Sequence, residues 1–344
     1  MRSKIKIGNK YPVFLIAEIS ANHNSSIENA KKLILSASKA GASAVKLQTY
    51  TPEEMTINTS KGSFFIKEKS SIWKGQKLFD LYAKGCTPRE WHKELFNFAK
   101  KNNILLFSTP FSVSAIDFLE KFNPPLYKIA SFENNDFELI ERAAKTKKPL
   151  IISTGMASEN HLHKIIRFAK KKGSKKIILL KCTSSYPAPY KDLNLISIKH
   201  MKKKFKCEIG FSDHSLGIVP AITSVALGAT VIEKHFKINE KGLDSKFSIG
   251  EKEFQNLVDG CKIAKLSYGR KFLGISKSES NSVKYKRSLY LVKNVKKGEK
   301  ITSDHIKSIR GGYGDDPIKL KKYIGLRARR DFKFPLALKL KYFI

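Results

Sequence analysis

The chain has 344 residues, of which 41% are hydrophobic, and it carries 66 lysine and arginine residues against 30 aspartate and glutamate residues. No run of about 18 uncharged apolar residues is present, so no membrane span is expected. The basic charge is spread along the chain and does not form one face with interleaved aromatic residues, which argues against a nucleic-acid-binding protein.

The first segment of the chain is basic and then apolar. Because Glu18 follows closely and no small-residue cleavage site is present, we interpret this segment as a first β-strand and not as a signal peptide. The four cysteines show no CxxC spacing and no disulfide framework. This favours reduced thiols in a cytoplasmic protein.

Eight short apolar segments follow one another along the chain, and each ends in polar residues. They are residues 13–20, 44–50, 104–111, 127–133, 149–155, 176–187, 208–215 and 230–236. Stretches with helical periodicity lie between most of them. Strand–helix alternation repeated eight times predicts a parallel sheet closed into a (β/α)8 TIM barrel. The carboxyl ends of such strands meet at one face of the barrel, where we expect the chemistry.

The rest of the chain suggests an insertion and a second domain. Residues 51–103 separate strands two and three, and residues 88–101 among them predict a helix. The preceding residues 51–82 are too long for a simple connection, so we expect an insertion over the active-site mouth. We assign residues 1–270 to the barrel, which leaves room for a small domain, because one barrel takes roughly 250 residues. Residues 271–287 lack periodicity and predict a linker. Residues 288–344 predict short strands and turns, too few to bury much of a core without leaning on another surface.

Two histidines end consecutive strands: His214 in GFSDHS and His235 in VIEKHF. Neighbouring strands lie about 5 Å apart, so both imidazoles can share one ion above the barrel mouth. Imidazole ligands with open positions suit Mn²⁺ or Co²⁺, with Mg²⁺ or Zn²⁺ as alternatives. One or both rings forming only hydrogen bonds is the other interpretation, but the matched strand ends favour a metal.

Ammonium and hydroxyl groups are expected at the same face. Lys46 and Lys128 lie near strand ends, whereas Lys181 and Lys234 are interpreted as outward-facing and solvated. Hydroxyl groups at this level come from Thr109, Ser131, Ser153, Thr183, Ser184 and Ser212. Donors that converge from several strands are typical of a site for phosphate or carboxylate. Because neither GxxxxGK[ST] nor GxGxxG is present, we predict a small phosphorylated acid and not a nucleotide.

Two carboxylates complete the predicted site: Glu18 after strand one and Glu133 after strand four. A carboxylate near cations stays ionised, and it can accept a proton from water or bind a sugar hydroxyl. A salt bridge to Lys46 or Lys128 is an equally open alternative for either residue. Asp244, in the segment DSKFS after strand eight, is a further polar candidate.

Nine segments, in the right order, resemble those of the sialic acid synthase family. They are AEISANH, VKLQTYTPEEMT, FSTPF, YKIASFE, STGM, KCTSSYP, GFSDHS, EKHF and DSKFS. The carboxyl-terminal segment resembles the antifreeze-like (SAF) domain of that family, so the resemblance covers nearly the whole chain. Within the family, SANH, YAKGCTPREWH and IASFE are most similar to pseudaminic acid synthases. N-acetylneuraminate or legionaminate synthases stay open as alternatives, as do other synthases of 3-deoxy-ulosonates from phosphoenolpyruvate.

The resemblance implies that phosphoenolpyruvate condenses with the open-chain aldehyde of 2,4-diacetamido-2,4,6-trideoxy-altropyranose and with water, giving pseudaminic acid and phosphate by C–O cleavage. It implies a divalent metal (Mn, Mg or Co) on His214 and His235, and catalytic roles for Glu133, Glu18 and Lys128, with Glu133 acting on the attacking water. The implied phosphoenolpyruvate contacts are Lys46, Thr109, Lys128, Ser131, Ser153, Ser184 and Ser212. The implied sugar- or water-facing residues are Glu18, Tyr186 and Asp244.

The resemblance also implies a homodimer with swapped small domains, in which Arg310 enters the partner subunit's site and contacts an N-acetyl group. Two departures from the family pattern stand out. Asn-Ser-Ser at residues 24–26 replaces a usual glycine, and Gly311 and Gly312 replace a usual proline. We expect the two glycines to leave Arg310 on a more flexible backbone.

Two other classes of protein stay open. A Schiff-base aldolase would use Lys46 or Lys128 and would form a covalent adduct with pyruvate. A non-enzymatic basic binding protein would release no phosphate from phosphoenolpyruvate. A synthase acting on a phosphorylated sugar would need a second anion site, and the sequence shows no obvious one.

Overall fold

The computed structural model describes residues 5–68 and 71–344. The chain divides into two compact units, Met1–Gly269 and Arg270–Ile344. Each unit buries hydrophobic residues of its own. Within the described part of the chain, none of the helices combines the length and apolar character that crossing a bilayer requires.

The first unit is an eight-stranded parallel barrel, as the strand–helix alternation predicts. Its strands are β1 (Phe14–Glu18), β2 (Ala44–Thr49), β3 (Leu105–Pro110), β4 (Tyr127–Ile129), β5 (Leu150–Ser153), β6 (Ile177–Cys182), β7 (Glu208–Asp213) and β8 (Val231–His235). The hydrogen-bonded order is β3-β2-β1-β8-β7-β6-β5-β4, and every ladder in it is parallel. Strands β3 and β4, at the two ends of this order, also contact each other and close the barrel.

Helices cover the outside of the barrel. They are α1 (Ile27–Lys39), α4 (His92–Lys101), α5 (Val113–Glu120), α6 (Phe137–Lys145), α7 (Glu159–Lys171), α8 (Ser197–Phe205), α9 (Val219–Ala226) and α10 (Glu251–Tyr268). Two further helices, α2 (Pro52–Met55) and α3 (Leu78–Gly85), belong to the insertion between β2 and α4. The apolar residues of the covering helices recur at helical spacing, and those residues face the strands; in α6, for example, Leu139, Ile140 and Ala143 are buried. The side chain of Asp136 begins that helix by accepting a hydrogen bond from the Leu139 amide.

The insertion between β2 and α4 is fastened to the barrel by polar contacts. The Glu54 carboxylate accepts a hydrogen bond from the hydroxyl of Ser112 (2.7 Å), which lies between β3 and α5 of the barrel, and another from Arg89 (2.6 Å) within the insertion itself. The Trp73 indole N–H donates to the carbonyl of Leu243 (3.3 Å), in the loop that follows β8. The Ser112 and Trp73 bonds hold the insertion against the carboxyl-terminal face of the barrel.

The second unit contains an antiparallel sheet in the order β10-β9-β11, formed by β9 (Arg287–Leu291), β10 (Ile306–Arg310) and β11 (Leu336–Ala337), together with helix α11 (Leu320–Tyr323). The unit buries ten hydrophobic residues, including Leu289, Tyr323 and Leu338 at 0% exposure. We expected a segment of this size to bury little core by itself, and this expectation was wrong.

Hydrogen bonds tie the backbone that follows Arg310 to neighbouring segments of the second unit. The amide of Gly312 donates to the carbonyl of Lys286 (2.9 Å), and the Tyr290 hydroxyl donates to the carbonyl of Gly311 (3.2 Å). Gly312 has a φ of +56°, and a Cβ there would lie 2.7 Å from the Val283 carbonyl oxygen. The two glycines therefore fit a close turn.

Candidate active site

The two histidines meet at the carboxyl-terminal face of the barrel. His235 is the last residue of β8, and His214 directly follows β7. Their ring centroids lie 5.4 Å apart, and the residues are 5% (His214) and 7% (His235) exposed. The ring of Tyr186 packs against His214 at 4.4 Å, and the ring of Phe247 packs against His235 at 4.8 Å. The predicted juxtaposition of the two imidazoles is therefore present.

The hydrogen bonds of the two rings suit a shared cation. Nδ1 of His214 lies 3.1 Å from the carbonyl oxygen of Thr183, so this nitrogen donates and Nε2 keeps its lone pair. Nδ1 of His235 is buried and has no hydrogen-bond partner among the described residues; Asp244 Oδ2 is 3.6 Å away. A buried nitrogen without a partner is costly unless a ligand satisfies it, so these residues fit a metal ion.

The charges around the two rings differ. Burial lowers the pKa of His235 well below its usual value, and the neighbouring cations add to this effect. Burial disfavours the charged form of His214 as well, but Cys182 and the Thr183 carbonyl outweigh it and raise the pKa of that ring. A neutral imidazole binds a cation, so His235 is ready to bind one, whereas a proton competes at His214. Within residues 5–68 and 71–344, no three His, Cys, Asp or Glu side chains form a metal-holding group, so water or substrate oxygens would complete the shell.

A cluster of buried charges lies inside the barrel beside the histidines. Lys46 forms an ion pair with Glu18, and Lys128 lies 2.6 Å from Glu233. The second carboxylate oxygen of Glu233 is 3.8 Å from Lys46. Lys46 also donates to the Thr109 hydroxyl (2.9 Å). The salt-bridge alternative for Glu18 is thus present in the structure, and both lysines point inward as predicted.

Glu233 is a charged site residue that sequence reasoning missed. It accepts hydrogen bonds from the Lys128 ammonium (2.6 Å) and the Ser212 hydroxyl (2.9 Å). Burial alone would raise the pKa of Glu233, but the ammonium groups of Lys128 and Lys46 outweigh it and lower the pKa to about 2. The available signal was its position two residues before His235, which places both side chains on the same face of β8.

Just after β5, the backbone at Gly155 passes very close to the hydroxyl groups of two serines. The Gly155 amide donates to the Ser131 hydroxyl (3.2 Å), and Asn134 donates to the Gly155 carbonyl (3.0 Å). A Cβ at Gly155 would lie 2.2 Å from the Ser184 hydroxyl and 2.6 Å from the Ser131 hydroxyl. Only glycine leaves this space open, so Ser131, Ser184 and the backbone around Gly155 form one small pocket of donors, which we call the hydroxyl cradle. Asn134 was not anticipated from the sequence.

Glu133 follows β4 and lines a cavity at the barrel mouth. Burial raises its pKa to about 7, with Asp136 acting in the same direction and the lysines opposing. Its Oε2 is buried and has no hydrogen-bond partner among the described residues. A carboxyl group poised near neutral pH, with an oxygen free to accept, is suited to take a proton from water.

The cavity has a volume of about 320 Å³ and two chemically different sides. Its polar side includes Glu133, Ser184, Tyr186, His235 and Asp244. Its apolar side comes largely from the insertion and includes Met55, Ile66, Trp73, Leu78, Leu81 and Tyr82. The insertion therefore walls the site, as its position in the sequence predicts.

Arg310 and Lys234 do not lie in the cavity. Arg310 is exposed at the end of β10 in the second unit, so its contact with a substrate stays a prediction. Lys234 is fully buried and lies 2.9 Å from the Asp213 carboxylate, so its interpretation as a solvated residue was wrong. Its side of β8 faces the surrounding helices and not water, because both faces of a barrel strand are covered.

Comparison with known proteins agrees with this geometry. The NeuB family model matches residues 33–272, and the SAF domain model matches residues 286–333. A pseudaminic acid synthase from Campylobacter jejuni is 44% identical over 329 residues, which are 95% of each chain. An N,N'-diacetyllegionaminic acid synthase from the same species is 34% identical over 330 residues, covering 93% of this chain and 96% of the relative.

A solved structure is also similar. The N-acetylneuraminic acid synthetase of Leptospira borgpetersenii, crystallised with citrate, is 33% identical and superposes with a TM-score of 0.73, covering 83% of this chain and 95% of that one. Its similarity adds a structural match to the family and domain matches. From these matches and the arrangement of its motifs on one barrel, the chain belongs to the NeuB family, the family of the sialic acid synthases.

Proposed function

We propose that the chain is a pseudaminic acid synthase. It joins carbon 3 of phosphoenolpyruvate to the aldehyde carbon of 2,4-diacetamido-2,4,6-trideoxy-altropyranose, adds water at carbon 2, and releases phosphate by breaking the C–O bond. The higher identity to a pseudaminic acid synthase (44%) than to a legionaminic acid synthase (34%) of one species supports this substrate. N-acetylneuraminate and legionaminate synthesis are the alternatives.

The buried donors support phosphoenolpyruvate as the first substrate. Two ammonium groups, from Lys46 and Lys128, lie beside the hydroxyls of Thr109 and Ser212. Together with Ser153 and the hydroxyl cradle, these groups suit an anion that carries both a phosphate and a carboxylate. We assign to the lysines and hydroxyls the binding of the phosphate before and after the C–O bond breaks.

Glu133 is proposed to act on the attacking water. As positive charge develops at carbon 2, the carboxylate accepts a proton from water, and the oxygen adds to that carbon. The pKa of about 7 means that the ionised form is well populated at neutral pH and is still basic enough to take the proton. Glu18 and Lys128 are proposed to orient the reacting groups around it.

His214 and His235 are proposed to hold a divalent cation such as Mn, Mg or Co. When bound, such an ion supplies the Lewis acidity that makes the aldehyde carbon electrophilic. The Nδ1 of His235, which has no hydrogen-bond partner in the part of the chain that the structure describes, and the Thr183 contact of His214 support this assignment. Tyr186 and Asp244 line the cavity near His235 and are proposed to face the sugar.

The apolar side of the cavity supports a sugar with few hydroxyl groups. Trp73, Leu81 and Tyr82 present apolar surface, which suits methyl groups and would leave a free hydroxyl group without a partner. A 2,4-diacetamido-2,4,6-trideoxy sugar carries three methyl groups, one from the 6-deoxy carbon and two from the acetamido groups. N-acetylmannosamine carries a hydroxyl at carbon 6 and only one acetamido group.

We further propose a cytoplasmic homodimer in which Arg310 reaches the sugar site of the partner subunit. The exposed position of Arg310 at a strand end leaves its guanidinium available for such a contact. Guanidinium N–H groups donate well to the carbonyl oxygen of an acetamido group.

One observation carries the proposal: two buried imidazoles lie together beside inward-facing lysines, and one of them, His235, lines the same cavity as Glu133 and Ser184. The test is phosphate release from phosphoenolpyruvate with Mn²⁺, measured side by side with the altro-diacetamido sugar, its legionaminate counterpart and N-acetylmannosamine. We expect the highest kcat/KM with the first. Faster turnover of either other sugar would reassign the substrate. Phosphate release with none of them, or a borohydride-trapped pyruvate adduct on a lysine, would overturn the proposal.

A further inference from the structure

A second buried ion pair lies directly behind the two histidines. The Nζ atom of Lys234 is 2.9 Å from Oδ2 of Asp213, and both residues are 0% exposed. Lys234 precedes His235 on β8, and Asp213 precedes His214 at the end of β7. Because side chains alternate along a strand, this pair faces the surrounding helices while the two imidazoles face the barrel mouth.

The pair extends the connection between β7 and β8 beyond their backbone ladder. The last paired residues of that ladder are Asp213 and Lys234, and His214 lies past it. The Lys234 ammonium also donates to the carbonyl of Ser215, while Asp213 Oδ1 accepts from the amide (2.9 Å) and the hydroxyl (2.6 Å) of Ser215. One side chain on β8 thus contacts both residues that flank His214.

Stability alone does not explain this arrangement. Two charges without exposure lose their hydration, and well-packed apolar side chains of similar volume are often as stabilising or more so. An apolar pair, however, has no directional bonds to the residues on both sides of His214. The polar pair therefore fixes the backbone position of His214 more closely than apolar packing would.

We propose that Asp213 and Lys234 form a positioning clamp that sets the spacing and orientation of His214 and His235. The inference rests on the proposed metal role of those histidines. Asp213 and Lys234 themselves have no part in the proposed function. The clamp residues touch neither the cavity nor the reacting atoms; they act through the backbone of the two ligands. In metal sites, partners that orient the ligands affect affinity roughly ten- to a hundredfold.

The test compares full-length variants that remove one or both charges. Lys234→Met and Asp213→Asn each leave one buried charge unpaired, so they are expected to lower the melting temperature. The double variant Asp213→Asn/Lys234→Met removes both charges and should recover much of that loss. A matched control is Lys148→Met. Lys148 is largely buried, pairs with Glu120, and lies just before β5, at the end of the barrel opposite the two histidines.

Two readouts separate positioning from stability. Titration calorimetry measures the Kd for Mn²⁺, and crystal structures measure the separation of the two rings, 5.4 Å in the unaltered chain. In the double variant we expect a Kd weaker by roughly tenfold or more, and rings that are farther apart or in other rotamers. The control is expected to keep the unaltered Kd and spacing.

A double variant that folds and keeps both the Mn²⁺ affinity and the ring spacing would overturn the clamp. If the unaltered chain binds no Mn²⁺, the proposed metal role fails, and the ring spacing alone then decides on the clamp. Displaced rings in the double variant would support it under that outcome, and unmoved rings would refute it.

Discussion

The Nζ atom of Lys128 lies 2.6 Å from a carboxylate oxygen of Glu233, in the interior of the barrel beside the two histidines. Glu233 also lies near Lys46, which is itself paired with Glu18. Two lysines and two carboxylates thus pair with each other before any substrate binds, and burial lowers the pKa of Lys46 to about 7. An incoming phosphoenolpyruvate has to compete with these carboxylates for the lysines.

Replacing Glu233 by glutamine keeps the shape of the side chain and removes its charge. The two ammonium groups then share a single buried carboxylate, so we expect the free energy of unfolding to fall by about 3 kcal/mol. Phosphoenolpyruvate should raise the melting temperature of Glu233→Gln more than that of the unaltered chain, because its anionic groups replace the missing charge. Urea unfolding and thermal melts with and without phosphoenolpyruvate measure both effects.

Glu240→Gln is the control, because Glu240 is exposed and pairs with Lys237 on the surface. Its removal should change the unfolding free energy by about 0.5 kcal/mol or less. A Glu233→Gln variant as stable as this control, with an equal response to phosphoenolpyruvate, would contradict the assigned charge balance.

Gly155→Ala tests the hydroxyl cradle. The added Cβ would lie 2.2 Å from the Ser184 hydroxyl, 2.6 Å from the Ser131 hydroxyl and 2.9 Å from the Ser131 Cβ. The two hydroxyls can rotate away, but the Ser131 Cβ can move only with its backbone. We expect the KM for phosphoenolpyruvate to rise about tenfold, the loss of roughly one hydrogen bond to a charged group, and the melting temperature to fall because the backbone at Ser131 has to shift. Gly250→Ala is the matched control, because no atom of residues 5–68 and 71–344 lies within 4 Å of a Cβ there. An unchanged KM in Gly155→Ala would remove these hydroxyls from the phosphoenolpyruvate site.

The raised pKa of Glu133 predicts a pH dependence of the rate. Burial lifts the pKa to about 7, so the proton-accepting form grows as the pH rises through 7. We expect kcat to rise over pH 6–8 in the unaltered chain and to be low and flat over this range in Glu133→Gln. The exposed Glu53→Gln should leave the profile unchanged. A rising profile that persists in Glu133→Gln would assign the base to another group.

The same pKa predicts a loss of stability with rising pH. Between the usual pKa of 4.5 and the folded value of about 7, the folded chain keeps a proton on Glu133 that the unfolded chain has lost. Stability therefore falls as pH rises through this window, and Glu133→Gln should lack this contribution. The gain in unfolding free energy from the substitution, measured by urea titration, should be larger at pH 8 than at pH 5 by about 2 kcal/mol.

The sequence predicted the barrel well because its strands are continuous apolar runs of distinct composition. It overestimated strand lengths where the polar end of a run is loop: residues 127–133 contain only Tyr127–Ile129 as strand. The lysine–carboxylate pairing inside the barrel was harder to predict, because which charge on β2 meets which charge on β8 depends on the closure of the sheet. Period-two alternation from His235 would nevertheless have placed Glu233 inward.

Lys234 shows why the other face was misinterpreted. We expected the side chain of Lys234 to be exposed to solvent, since unpaired lysines are rarely buried. The outer face of a barrel strand lies under helices, however, and there Lys234 pairs with Asp213. The partner lies 21 residues away in sequence, and only the β7–β8 register brings the two together.

Arg310→Ala is expected to raise the KM for the sugar with little change in the KM for phosphoenolpyruvate. A mixing experiment tests whether the arginine acts in the partner subunit. His214→Ala and Arg310→Ala chains are refolded together, so that about half of the dimers contain one chain of each kind. Each mixed dimer has one complete site out of two, so we expect about a quarter of the full activity at low sugar concentration. No gain on mixing would mean that Arg310 acts within its own chain or not at all.

The most direct test of the account measures Mn²⁺ binding and phosphate release together in His214→Ala and His235→Ala. The control is His200→Ala, an exposed histidine paired with Glu159 on the surface. We predict that the unaltered chain and the control bind one ion per chain and release phosphate. Both site variants should lose ion binding and turnover while keeping the melting profile of a folded barrel. Metal-dependent phosphate release that persists in either site variant would contradict the account.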